Sequence, residues 1–132
     1  MLIHLLKRLN MASRASTLNQ RAKQFNSPGV LSQMMLMEVA LKAGGICAWC
    51  GKQITEETDA EFDHLYPFRL QGHNTPDNLV FACADCNRRK SDKHPVRFAQ
   101  EQAAQGVITP LIQSLLASHD LDAVNQPKLF ED

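Results

Sequence analysis

The chain lacks any excess of one charge: 14 basic side chains face 14 acidic ones over 132 residues. It also lacks an apolar run near the ~20 residues that a membrane-crossing helix needs, so no membrane span is expected. It does not combine low hydrophobicity with high net charge, which separates it from disordered chains. No internal repeat or low-complexity tract is present, and no Gly-rich loop runs into Lys-Ser/Thr, so nucleoside triphosphate binding has no motif to rest on. A secretory signal is missing as well. Met1 to Asn10 run from apolar to basic, the reverse of a signal peptide's order. A cytoplasmic protein is therefore expected. Two other readings of the start remain open: an acid-free, Arg- and Ser-containing transit segment, or a natural start at Met11.

Absence of acid is itself local. Residues 1–37 carry Lys7, Arg8, Arg14, Arg21 and Lys23 with no Asp or Glu. Residues 38–63 are net acidic, 64–97 net basic, and 98–132 net acidic again. Two basic segments on a neutral chain can form a one-sided positive surface, as a nucleic-acid binder has, or they can be ordinary solvated faces.

A single domain is expected from the length. Residues 12–25 read as a polar, basic helix or a loose arm, and Asn26-Ser27-Pro28-Gly29 as a turn. Val30 to Ala43 has helix length, with Val30, Met34, Met37 and Leu41 spaced as one face, and Gly44 and Gly45 stop it. Ala60–Asp63 and Leu79–Ala82 are short apolar strands, with a loop marked by Gly72, Asn74, Pro76, Asp77 and Asn78 between them. Pro95 starts a helix that ends near Gln105 and Gly106. A last helix starts at Thr109-Pro110, with Leu111, Ile112, Leu115 and Leu116 as its packing stripe, and residues after Asp120 read as a tail.

All four cysteines sit in two C-x-x-C pairs, Cys47/Cys50 and Cys83/Cys86. Two intervening residues let both thiolates of a pair face one ion, and two such knuckles complete the tetrahedral four-sulfur shell that zinc prefers. A rubredoxin-like iron site, free thiols and disulfides are the alternatives; disulfides would require an oxidising compartment. Between and just after the knuckles come Asp63, His64, Asn78 and Asn87, followed by Arg88, Arg89, Lys90 and Lys93. Asp63 and Asn87 offer hard oxygen ligands for Mg²⁺ or a similar cation, and a neutral imidazole at His64 suits proton removal from water. Together they suit hydrolysis of a phosphate ester. Taken singly, each is as well explained by a loop or turn role.

The stretches C-A-W-C-G (47–51), F-D-H-L-Y-P (62–67) and D-N-L-V-F-A-C-A-D-C-N-R-R-K (77–90) resemble the HNH, or ββα-metal, endonucleases. The resemblance covers about residues 46–93. It implies an α+β fold: a ββα-metal core at 44–94 with a four-cysteine zinc site, a basic arm and helix at 1–43, and C-terminal helices with a tail at 95–132. By position, Asp63 and Asn87 resemble the ligands of the catalytic divalent cation, Mg²⁺ or Mn²⁺. His64 resembles the general base and Asn78 the asparagine that fixes the loop carrying it. Cys47, Cys50, Cys83 and Cys86 resemble the ligands of the structural zinc. The last signature position, often histidine in the family, is asparagine here. Arg88, Arg89, Lys90 and Lys93 are expected to grip phosphates of a DNA substrate. A homodimer or a larger complex is compatible with the chain. The rival reading is a zinc-stapled module that binds nucleic acid or protein without catalysis; a third is an iron-sulfur electron carrier. His73 is either a phosphate or base contact or a plain loop residue, and His4, His94 and His119 carry no assigned role.

Overall fold

The computed structural model describes residues 2–125, with side-chain burial defined through Ser118. Its centre is an antiparallel hairpin, β1 (Ala60–His64) and β2 (Leu79–Cys83), in the register Ala60↔Cys83 through His64↔Leu79. Phe62 and Phe81 pair across the ladder with ring centroids 5.6 Å apart. β2 runs directly into α4 (Ala84–Lys90), whose N-cap is Cys83. The second knuckle therefore sits at the strand-to-helix junction. The first knuckle is a tight turn, with Gly51 at φ +81° and its N–H on the Cys47 carbonyl at 2.9 Å. It is tied to β2 by Ala48 N–H on the Phe81 carbonyl, also 2.9 Å.

Helices wrap this core on two sides. On the N-terminal side are α1 (Leu2–Arg8), α2 (Met11–Gln24) and α3 (Gln33–Ala43). α2 buries Met11, Ala15, Leu18 and Ala22, one stripe at helical spacing, and Asn10 caps it by accepting from Ser13 N–H at 3.0 Å. The segment before Met11 is α1, which buries Leu5 and Leu6, and Leu9 just beyond it is buried too. On the C-terminal side, α5 (Pro95–Ala104) and α6 (Pro110–Asn125) pack on each other and brace the first knuckle. Trp49 is fully buried edge-on against Phe98, with centroids 5.0 Å apart. Gln102 donates to the Trp49 carbonyl at 2.8 Å, and the Thr109 hydroxyl to the Ala48 carbonyl at 2.7 Å.

Two expectations change. α3 starts at Gln33 with Ser32 as its cap, and its buried positions are Leu36 and Ala40, while Val30, Met34 and Leu41 face outward. The period is right and the phase is not. Apolar residues lie on every side of Q-M-M-L-M-E-V-A-L-K-A, so periodicity selects no unique face. The chain after Asp120 does not end its helix there: α6 continues to Asn125, and the remainder of the expected tail, 126–132, lies outside the described residues. Among the described residues, no helix is long and apolar enough to cross a membrane.

Candidate active site

The four cysteine sulfurs all lie within 4.8 Å of one another, three of the four residues being buried. A tetrahedral zinc with Zn–S bonds of ~2.3 Å needs sulfurs about 3.8 Å apart. The Cys50 and Cys83 sulfurs are 3.9 Å apart, so the cage fits that ion. Trp49 N–H points at the Cys47 sulfur and Cys86 N–H at the Cys83 sulfur, both at 3.4 Å, the donors a thiolate needs. The thiols compete for protons: a hydrogen bond from Cys86 draws Cys47 down to about 4, and the same bond pushes Cys86 up. A dication replacing those protons removes the competition.

On the far end of the hairpin, Asp63 and His64 close β1 and line a cleft of about 420 Å³. Asn87, one residue past the second knuckle on α4, lines the same cleft, as do Arg21 of α2 and Arg69. Ladder register brings Asp63 and His64 there, and the strand-to-helix junction brings Asn87. Asp63 is buried, with Trp49 Nε1–H on one oxygen at 3.2 Å and Lys90 Nζ on the other at 3.3 Å. Lys90 is itself 0% exposed and also donates to the His64 carbonyl at 3.0 Å. Burial pushes Asp63 up and Lys90 down, while the charge of each opposes the other's shift. Burial likewise holds His64 below the ordinary imidazole range; the Asn74 hydrogen bond opposes this, and Arg21 and Lys90 add to it. A neutral ring is what a proton acceptor requires.

Two donors occupy two of the roughly four acceptor sites of the Asp63 carboxylate, which leaves lone pairs for a cation. Asn87 has no side-chain hydrogen bond among the described residues, so its amide oxygen is free to act as a second ligand. This oxygen pair fits a hard divalent cation. Asn78 works behind the cleft. Its side chain accepts from Tyr66 N–H at 2.8 Å and donates to the Tyr66 and His73 carbonyls at 2.9 Å, cross-linking both limbs of the 65–78 loop.

The expected basic cluster is placed differently. Lys90 is inside the protein, not on a phosphate-facing surface, because α4 turns it back toward Asp63. Arg89 bonds Asp85 and Gln102, Lys93 bonds Glu101, and Arg88 lies near Asp85. None of the four lines the cleft. The cations that do, Arg21 and Arg69, were not singled out by sequence. Arg21 lies over the Phe68 ring at 5.9 Å and Arg69 pairs with Asp92. Trp49, quoted only within C-A-W-C-G, and Asn74, a loop marker, were given no role in the site by the sequence. His73 is exposed and lies away from the cleft. The imidazole of His94 caps α5 by accepting from Val96 N–H at 3.1 Å, and the side chain of His119 lies outside the described residues.

A hairpin and one helix sharing a four-sulfur cage that could hold a metal, with an acid, an imidazole and an amide on one neighbouring cleft, define a ββα unit. Residues 47–93, about a third of the chain, match the model of the HNH endonuclease family. The match of that segment suggests nuclease-type activity in general. No curated protein matches the chain.

Proposed function

We propose that the protein is an endonuclease that hydrolyses DNA phosphodiester bonds with one divalent cation, Mg²⁺ or Mn²⁺, and His64 as general base. One observation carries the reading: Asp63, His64 and Asn87 line a single cleft. Asp63 and Asn87 would hold the cation, whose role is to polarise a nonbridging phosphate oxygen and stabilise the leaving oxygen. His64 takes a proton from a water aligned with the phosphorus. The resulting hydroxide forms the new P–O bond, and the bond to the 3′ oxygen breaks. That oxygen takes a proton from solvent, leaving 5′-phosphate and 3′-hydroxyl ends. Arg21 and Arg69, at the cleft, are the side chains placed to pair with backbone phosphates. Trp49 and Lys90 orient Asp63, and Asn78 holds the loop that follows His64. Zinc in the cysteine cage braces the hairpin and takes no part in the proton transfer.

Supercoiled plasmid incubated with Mg²⁺, Mn²⁺ or EDTA tests the proposal. The wild type is expected to nick or linearise it with either cation and to be silent in EDTA. His64→Ala is expected to keep zinc and its melting temperature and to lose about 10²–10⁴-fold in rate, the usual contribution of a general base. Undiminished cutting by that variant rules out His64 as the base. No cutting by the wild type under any condition leaves the non-catalytic binding module as the better reading.

A further inference from the structure

His64 does not stand alone in its cleft. Its Nε2 lies 2.9 Å from Oδ1 of Asn74, a side chain that is 0% exposed. Which way the Asn74 amide faces is decided by its other neighbours. Its Nδ2 contacts the Gly29 carbonyl at 3.2 Å, an atom that can only accept, and Asn19 Oδ1 at 2.8 Å. Asn19 is oriented in turn by the Leu31 backbone: Leu31 N–H donates to Asn19 Oδ1 at 2.8 Å, and Asn19 Nδ2 donates to the Leu31 carbonyl at 3.0 Å. Backbone groups cannot exchange donor and acceptor roles, so the chain of assignments has one solution. Asn19 offers oxygen to Asn74, Asn74 offers oxygen to His64, and the proton of the neutral ring sits on Nε2. Nδ1 then carries the lone pair.

The approach of these groups depends on a strap, residues 27–31, docked on the hairpin loop. Asn74 N–H donates to the Pro28 carbonyl at 2.8 Å and the Ser27 hydroxyl to the Gly72 carbonyl at 2.7 Å. Gly29 sits at φ +114°, and a Cβ there would lie 2.3 Å from the Asn74 carbonyl oxygen. Only glycine lets the strap come this close. Asn19, on α2, and the strap both lie outside the segment that matches the family model.

We propose that Asn74, locked by Asn19 and the Leu31 backbone, is a positioning residue that fixes the ring orientation and tautomer of His64, presenting Nδ1 as the proton acceptor. This rests on the reading of His64 as the base, and extends it: the competence of the hairpin is set by α2 and the strap that follows it. Ring Nε2–H is held in a buried hydrogen bond, so it exchanges slowly with water.

The test is long-range ¹H–¹⁵N NMR of the imidazole in the full zinc-loaded chain at about pH 8, above the ordinary imidazole range. The wild type is expected to show His64 protonated at Nε2, with a proton signal protected from exchange. A ring protonated at Nδ1 overturns the proposal without recourse to any variant. Asn74→Leu is expected to lose the protected signal and at least about 10-fold in kcat, with KM for plasmid unchanged within about twofold, as for a misoriented base. Asn19→Ala, further from the ring, is expected to shift both readouts the same way by less, and serves if Asn74→Leu fails to fold. An unchanged ring signal or unchanged kcat in a folded Asn74 or Asn19 variant overturns it. The two hypotheses fail separately: an active His64→Ala enzyme removes the base assignment, whereas the wild-type ring spectrum bears on the tautomer alone.

Discussion

The two ends of the hairpin solve opposite problems. At one end, four sulfurs close around a volume that fits one ion, and backbone N–H groups supply donors to the sulfurs. At the other, an acid, an imidazole and an amide share a cleft with two arginines, and one of the three, Asn87, has no side-chain hydrogen bond among the described residues. A closed shell of four protein ligands holds a metal for stability, while an incompletely filled site leaves room for substrate. Because the strands join them, the closed end pre-pays the order that the open end needs.

The sharpest way to break that contrast is to remove a sulfur. Cys83→Ser, or chelation of the zinc, is expected to unfold the chain, since a structural zinc contributes folding free energy on the order of 10 kcal/mol. Circular dichroism melts with metal analysis check this; a zinc-free protein with an unchanged melt would erase the distinction. A smaller effect is expected from Lys90→Met, which leaves Asp63 buried without its cation and should cost about 3–5 kcal/mol in urea denaturation. Adding Asp63→Asn should restore much of that loss while leaving cleavage abolished. Such a recovery would show the buried pair to be neutralised charge rather than a net source of stability.

A pH profile sharpens the same comparison. Burial, reinforced by Arg21 and Lys90, keeps His64 below the ordinary imidazole value of about 6.5. A base works unprotonated, so the rate should hold as pH falls past that value and drop only at the lower folded pKa. Stability follows the same sign: the unfolded chain takes up the proton first, so the fold loses free energy as pH descends from about 6.5 toward the folded pKa. An acid limb of kcat above 6.5 contradicts this. Least of all, Arg21→Ala should leave the melt and kcat nearly unchanged while weakening DNA binding and lowering the salt slope by about one.

Much of this was legible in the sequence, for definite reasons. Knuckle spacing and strand lengths follow from local geometry, and the two strands fall within a residue of their expected bounds, whereas Asp63, His64, Asn78 and Asn87 were joined into one site by the resemblance to the family. The burial of Lys90 was not legible, because a lysine within a basic run reads as solvated unless the helix turn that aims it inward is known. The role of Asn74 was hidden for a different cause. Its partners are Asn19, Gly29 and His64, drawn from α2, a strap and a strand, and no sequence spacing encodes that meeting. The phase of α3 was ambiguous because the helix is apolar on every side.

The ladder between Ala60↔Cys83 and His64↔Leu79 is also a ruler. Three residue steps, about 10 Å, separate the level of Cys83 from that of Asp63, so the strand pitch sets how far the sulfur of Cys83 stands from the Asp63 carboxylate. Side chains alternate between faces along a strand, so one residue gained or lost within β1 would swap the faces of Asp63 and His64. Loops elsewhere in the chain can vary in length, whereas this five-rung stretch is bound to a fixed count.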